Sequence, residues 1–197
     1  MKNKKNTLQE IMDSGLTLVQ ERGYNGFSYA DIAEAIGIRK ASIHYHFPSK
    51  QALVQAVLIR YRREFMDKLQ QIHEQPISWR QKLQSFFGLY RETLEKNTKL
   101  CLCSMMAAEL NSFPAEIRDE LNNFFDANTT WIEYVLNQGK LEGELTFSNG
   151  ALEQAKTLIA FVQGAQLMSR TSGEIGYYDS LVSNYMVTLT PTTRSFN

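Results

Sequence analysis

The chain reads as all-α, and three observations carry that reading. Apolar residues recur at three- and four-residue spacing along most of the 197 residues, strand-like alternation is nearly absent, and the interruptions are Gly, Pro and short polar runs that stop helices. In order, Leu8, Ile11, Met12, Leu16 and Val19 form a first helix behind "TLQE", a capping box with Thr7 at the N-cap and Glu10 three residues on, and Gly23 ends it. Ser28 with Asp31 repeats such a cap before Tyr29, Ile32, Ala33 and Ile36, and Gly37 stops this short second helix.

The third helix lies in "RKASIHYHFPSK", residues 39–50. At about 100° per residue, Ile43 and Phe47 share one face, while Ala41, Ser42 and Tyr45 lie opposite with Lys40 and His44 at the edge. A helix this short must be held by packing, and its outward face is small, polar and basic. Two short helices joined by a Gly-containing turn, the second offering its N-terminal half outward, match the helix-turn-helix plan for the DNA major groove. A long helix follows over 50–72, with Leu53, Val54, Val57, Leu58, Tyr61, Phe65 and Leu69 on its apolar side, until "HEQPIS" breaks it. Further helices are expected near 78–96, 101–112, 115–138, 150–170 and 177–189.

Composition sets the setting. A 43% hydrophobic and 21% charged chain has soluble values, and no apolar run approaches the roughly 20 residues of a membrane span, so no membrane partner is expected. "MKNKKNTLQE" lacks an apolar segment of a secretory signal, which points to the cytoplasm, and two cysteines argue against a disulfide framework. The net charge of zero averages unlike parts: residues 1–63 hold ten Lys/Arg against five Asp/Glu. A basic module that meets a polyanion, joined to an acidic body, is the expectation.

Enzymatic chemistry finds no footing, and no catalytic residue is assigned. On a helix Cys101 and Cys103 sit about 200° apart and cannot meet as a dithiol without local unwinding, and His44 and His46 share that poor spacing for a metal. His73 has no ligand-spaced neighbour beyond Glu74. No phosphate loop or nucleophile elbow is present, and no metal or cofactor is expected.

The stretch "FSYADIAEAIGIRKASIHYHFPSKQAL" resembles the DNA-binding signature of the TetR family of bacterial transcriptional regulators. The resemblance spans roughly residues 7–55 and rests on Gly23, the Ser-x-x-Asp-Ile-Ala opening of the second helix, Gly37, and Tyr-His-Phe-x-Ser-Lys at 45–50. Arg39, in place of a small hydroxyl cap, and His44, where a Tyr is common, depart from the pattern and bear on the operator sequence. The DNA-binding candidates are Ser28, Tyr29, Arg39, Lys40, Ala41, Ser42, His44, Tyr45, His46 and Lys50. Lys40, Ser42, His44 and Tyr45 suit base edges and nearby phosphates, and Ala41 admits a thymine methyl. Ser28 and Tyr29 suit a phosphate at a helix N-terminus, and the resemblance implies a phosphate contact for Lys50. Lys2, Lys4 and Lys5 suit a flexible arm or a solubilising tail.

Beyond residue 50, "CLCSMMAAEL" and the last two helices resemble the family's ligand-binding and dimerisation core. The expected architecture is therefore a three-helix helix-turn-helix DNA-binding domain over 1–50 and a larger helical effector-binding and dimerisation domain over 51–197. Phe86, Tyr90, Met105, Trp131 and Phe161 are the candidates to line a small-molecule effector site, against a background in which most rings are core. Two apolar stripes on 152–168 and a third on 177–189 suggest a four-helix bundle between two copies, with Leu158, Val162, Ala165, Leu181, Tyr185 and Met186 at the dimer interface. The function this implies is a one-component regulator, a repressor in most of the family, that binds a pseudo-palindromic double-stranded DNA operator as a homodimer and is released by a small-molecule effector. The alternatives are a helical ligand-binding dimer without a working DNA module, and a thiol-based redox-sensing regulator.

Overall fold

Helices supply every regular element among the described residues, 4–95 and 99–191, of the computed structural model. They are α1 (Lys4–Arg22), α2 (Tyr29–Ile36), α3 (Lys40–His46), α4 (Lys50–Glu74), α5 (Trp79–Glu95), α6 (Leu102–Ala107), a 3-10 turn (Leu110–Ser112), α7 (Ala115–Leu141), α8 (Ala151–Ser172) and α9 (Ile175–Thr188). No helix among them is long and apolar enough to cross a membrane. Lys2 and the side chains of Lys4 and Lys5 lie outside the described residues.

Two helices, α1 and α6, depart from the sequence pattern at their ends. Helix α1 begins at Lys4, so Thr7 lies inside it and caps nothing; the polar run before it continues the turn, and Asn6 Nδ2 donates to Glu10 across one turn at 3.1 Å. The helix expected over 101–112 is cut short at both ends. Cys101 is its non-helical N-cap (φ −51°, ψ 130°), and Glu109 leaves helical angles at φ −114°, ψ 27°. Because Cys101 stands outside the helix, its thiol is hydrogen-bonded with that of Cys103, a pairing that an unbroken helix would prevent. Burial raises the Cys101 thiol, but hydrogen bonds from Cys103, Ser104 and Tyr61 outweigh it and hold the group below the ordinary thiol range.

The chain divides into two compact units, residues up to Phe65 with Lys99–Phe124, and residues 66–98 with 125 onward. In the first, Ile11 and Val19 of α1, Ile32 of α2, Ile43 of α3 and Leu53, Val54, Val57 and Leu58 of α4 are fully buried, each such side chain contributing about 2 kcal/mol. The buried Arg60 guanidinium of α4 pairs with Asp13 of α1 at 2.8 Å. Helix α6 packs on α1, and Lys99, just before it, donates to Thr17 Oγ1 at 3.2 Å and lies 3.7 Å from the Glu21 carboxylate.

In the second unit α8 and α9 pack against each other and both against α5. Leu83, Phe86, Phe87 and Tyr90 of α5 fill that core, and the buried Tyr178 hydroxyl donates to the Phe87 carbonyl at 2.8 Å. The last turn of α4 ends on a cation: buried Lys82 donates to the carbonyls of Ile72, His73 and Gln75 at 3.1, 2.6 and 2.7 Å. Ile72 and Gln75 also accept from the Gln75 and Ile77 amides at 3.3 and 2.9 Å, so the ammonium adds donors around the end of α4, where its positive charge complements the helix dipole. Lys82→Met keeps the apolar stem and strips the cap, so it should lower unfolding free energy by about 3 kcal/mol in urea titrations. An unchanged midpoint would remove Lys82 from the forces that end α4.

Candidate nucleic-acid interface

The second helix of the reading module is locked at both ends. Ser28, extended at φ −137°, accepts from the Ala30 amide at 3.2 Å while its own amide and hydroxyl donate to Asp31 Oδ2, each at 2.7 Å. The Ser28 hydroxyl bond, with its amide bond, holds the Asp31 carboxyl below its ordinary range. Gly37 closes the helix in the left-handed region at φ 67°, where a Cβ would be strained. This turns the chain into α3.

Helix α3 has seven residues, and Arg39 at its N-cap makes no side-chain capping bond. Its stability comes from inside: Ile43 is fully buried, Phe47 is 7% exposed, and the Tyr29 hydroxyl of α2 donates to the Phe47 carbonyl at 3.0 Å. Burial, then the proximity of Tyr24, raises the Tyr29 phenol to about 12, so it remains a donor at neutral pH. His44 meets the edge of the Tyr29 ring at 4.9 Å.

The outward side holds Arg39, Lys40, Ala41, His44 and Tyr45, all exposed, with Ser42 and His46 half-buried. Tyr45 is 67% exposed, and the His46 ring meets it edge-on at 5.2 Å. A tyrosine that open, beside two cations and a methyl-bearing Ala41, offers a groove the donors and small apolar surface that base edges require.

Three residues expected at phosphates are engaged within the module. The Tyr29 hydroxyl is held by Phe47, and the Ser28 hydroxyl by Asp31. The Lys50 ammonium donates to the Phe27 carbonyl and sits 4.2 Å over the Phe27 ring and 4.5 Å over the Tyr24 ring. Burial lowers the Lys50 ammonium, opposed by Glu109 and Asp31. These side chains fix the α1–α2 loop and the end of α3. Sequence reasoning missed Glu109, whose carboxylate accepts from the Tyr24 amide at 2.8 Å and from the Asn25 amide at 3.0 Å. No local pattern announces a partner 85 positions away.

The other two candidate sets separate. Phe86, Tyr90, Trp131 and Phe161 belong to the second unit and Met105 to the first. Phe86 and Tyr90 are fully buried; Phe161 stacks on Tyr185 at 4.3 Å. Trp131 stacks on Phe86 at 5.9 Å and also lines an open groove of about 710 Å³ with Met66, Leu69, His73, Ala127 and Tyr134. Among the dimer candidates, Leu158, Val162, Ala165 and Met186 are buried by their own chain, and Leu181 and Tyr185 are half-buried. The helical wheel could not tell which apolar stripe faces the chain's own core. The exposed apolar and small positions of these helices include Leu152, Ala160, Gly164, Leu167 and Met168 on α8, and Tyr177 and Val187 on α9.

A model of the family described as "Bacterial regulatory proteins, tetR family" matches residues 11–57. The HTH-type transcriptional repressor DhaR of Mycobacterium sp. (strain GP1) is 26% identical over 194 residues, which covers 96% of this chain and 95% of that protein. The crystal structure of a TetR-family transcriptional regulator from Agrobacterium tumefaciens superposes with a TM-score of 0.91 at 29% identity, over 96% of this chain and all 100% of that one. That of a TetR transcriptional regulator from Legionella pneumophila gives 0.84 at 32% identity, over 96% and 99%. Reader helix, scaffold and relatives therefore agree, and the chain belongs to the TetR family of bacterial transcriptional regulators.

Proposed function

We propose that this protein is a one-component, cytoplasmic transcriptional repressor that binds a pseudo-palindromic DNA operator as a homodimer and is released by a small-molecule effector. The observation that carries the reading is the two-sidedness of α3, with Ile43 buried and Lys40, Ala41 and Tyr45 exposed on a helix of seven residues. Residues 1–50 are the reading domain and 51–197 the effector-binding and dimerisation domain. Within the reader, Arg39, Lys40, Ala41, Ser42, His44 and Tyr45 face the groove, while Tyr29 and Lys50 hold the frame.

Dimerisation is assigned to the outer side of α8 and α9. Ala160 and Gly164, one turn apart and exposed, allow a second helix to approach closely, and Leu167, Met168, Tyr177 and Val187 add apolar surface around them. A two-fold pair places two recognition helices for half-sites about 34–36 Å apart. The effector site is assigned to the second unit beside Trp131, whose indole Nε1 is buried with no hydrogen-bond partner and would favour a ligand bearing an acceptor.

A second reading, a thiol-based switch, is favoured by the paired sulfurs of Cys101 and Cys103. Duplex binding by the parent that disappears in mild peroxide, and survives it in Cys101→Ser, decides for that switch over a small-molecule effector.

Duplexes selected by the purified protein from a random library test the main reading. Lys40→Ala and Tyr45→Ala should each weaken the selected duplex by about 1–3 kcal/mol and relax base preference, measured by anisotropy against scrambled competitors. Parent affinity in both variants would move the reading face off α3.

Gly164→Glu and Val187→Glu change exposed positions and leave the core intact. Light scattering should find folded monomers that bind the selected duplex at least tenfold more weakly, since each has lost its second half-site. Two unchanged dimers would place the interface elsewhere.

A further inference from the structure

The loop between α1 and α2, residues 23–28, is held by a part of the chain far away in sequence. Glu109 Oε1 accepts from the Tyr24 amide at 2.8 Å, and Oε2 accepts from the Asn25 amide at 3.0 Å and from the Asn25 side-chain amide. The same Asn25 group donates to Ser112 Oγ at 3.2 Å, and Phe113 meets the Tyr24 ring edge-on at 4.8 Å. Gly23 makes the room: a Cβ there would overlap Glu109 Oε1.

We propose that Glu109 is the positioning residue that fixes the α1–α2 loop and makes the 99–113 segment and the DNA-reading helices one thermodynamic unit. The proposal rests on the DNA-reading role of α3. The loop runs directly into Ser28, the N-cap of α2, and α3 packs on α2, so displacing the loop displaces the reader. A carboxylate is the group for this place because two anionic oxygens accept three N–H donors at once, and charge-assisted bonds are the strong ones. Gln fills the same volume with one acceptor and turns an amide donor toward donors. The electrostatic influence of Glu109 also reaches Tyr24, where it adds to the larger effect of burial in raising the phenol, and Lys50, where it opposes burial. Because the three bonds form only with the loop in this position, opening of the segment weakens DNA binding. By linkage, DNA then suppresses that opening by the same factor.

Cys101 and Cys103 report on that opening. Both are fully buried in the same segment, so 5,5′-dithiobis(2-nitrobenzoate) reaches them only when it opens. The experiment compares labelling rates with and without the library-selected duplex in the parent, Glu109→Ala and Glu109→Gln, with circular dichroism to verify folding. Duplex should slow parent labelling about tenfold, a coupling within the usual allosteric range, and slow it less than twofold in both variants. The Gln variant separates a carboxylate that positions the loop from one that merely packs there, since packing alone would leave it like the parent. Parent-like protection in both variants overturns the proposal. A parent that binds no selected duplex instead defeats the DNA-reading role. Glu109 is then judged by amide exchange at Tyr24 and Asn25, where exchange at least about tenfold faster in Glu109→Ala upholds the clip and unchanged exchange overturns it.

Discussion

The burial of Ile43 and Phe47 beneath a seven-residue helix is the constraint on which the reading module depends. A helix of two turns has too few internal hydrogen bonds to offset its nucleation cost, so α3 exists only while its inner face is covered. Every nearby interaction serves that cover. The Tyr29 hydroxyl takes the Phe47 carbonyl where the helix ends, Gly37 supplies the left-handed turn that delivers α3 to its place, and the Ser28–Asp31 box fixes the start of α2 against which it lies. With the inside so determined, the outside is left free to be small, polar and basic.

That division of labour accounts for the three side chains expected at phosphates, those of Ser28, Tyr29 and Lys50, that find partners within the module. A half-buried ammonium needs acceptors, and Lys50 finds the Phe27 carbonyl together with two ring faces, an arrangement that ties the start of α4 to the α1–α2 loop. The same loop receives Glu109 from the other side. The α1–α2 loop is thus held from both sides by side chains of the chain itself.

Much of this was legible in the residues. Gly37, the Ser28 cap and the split between Ile43 with Phe47 and Lys40 with Tyr45 follow from local rules of helix geometry, and those rules hold because neighbours within four positions decide them. The boundaries of α1 and α6 were not legible. Thr7 carries a sound capping pattern that a run of helix-compatible residues overrides, and α6 stops where Glu109 is drawn to a loop 85 positions away. In α8 and α9 the apolar stripes were visible, but covering both sides of a helix with apolar residues leaves open which one its own chain buries. Val162 and Met186 face inward, and the smaller Ala160 and Gly164 are left outside. Trp131 alone among the effector candidates both lines an open groove and carries an unpartnered polar atom, a distinction that composition cannot make.

Hydroxyl-radical footprinting of the selected duplex tests the central claim, that the outer face of α3 reads DNA from a two-fold pair, most directly. The account predicts two symmetric protected patches centred about one helical turn apart, related by the duplex's own pseudo-dyad, with a matching loss of protection in one patch when one half-site is scrambled. A single asymmetric patch, or uniform protection that follows salt but not sequence, would contradict it.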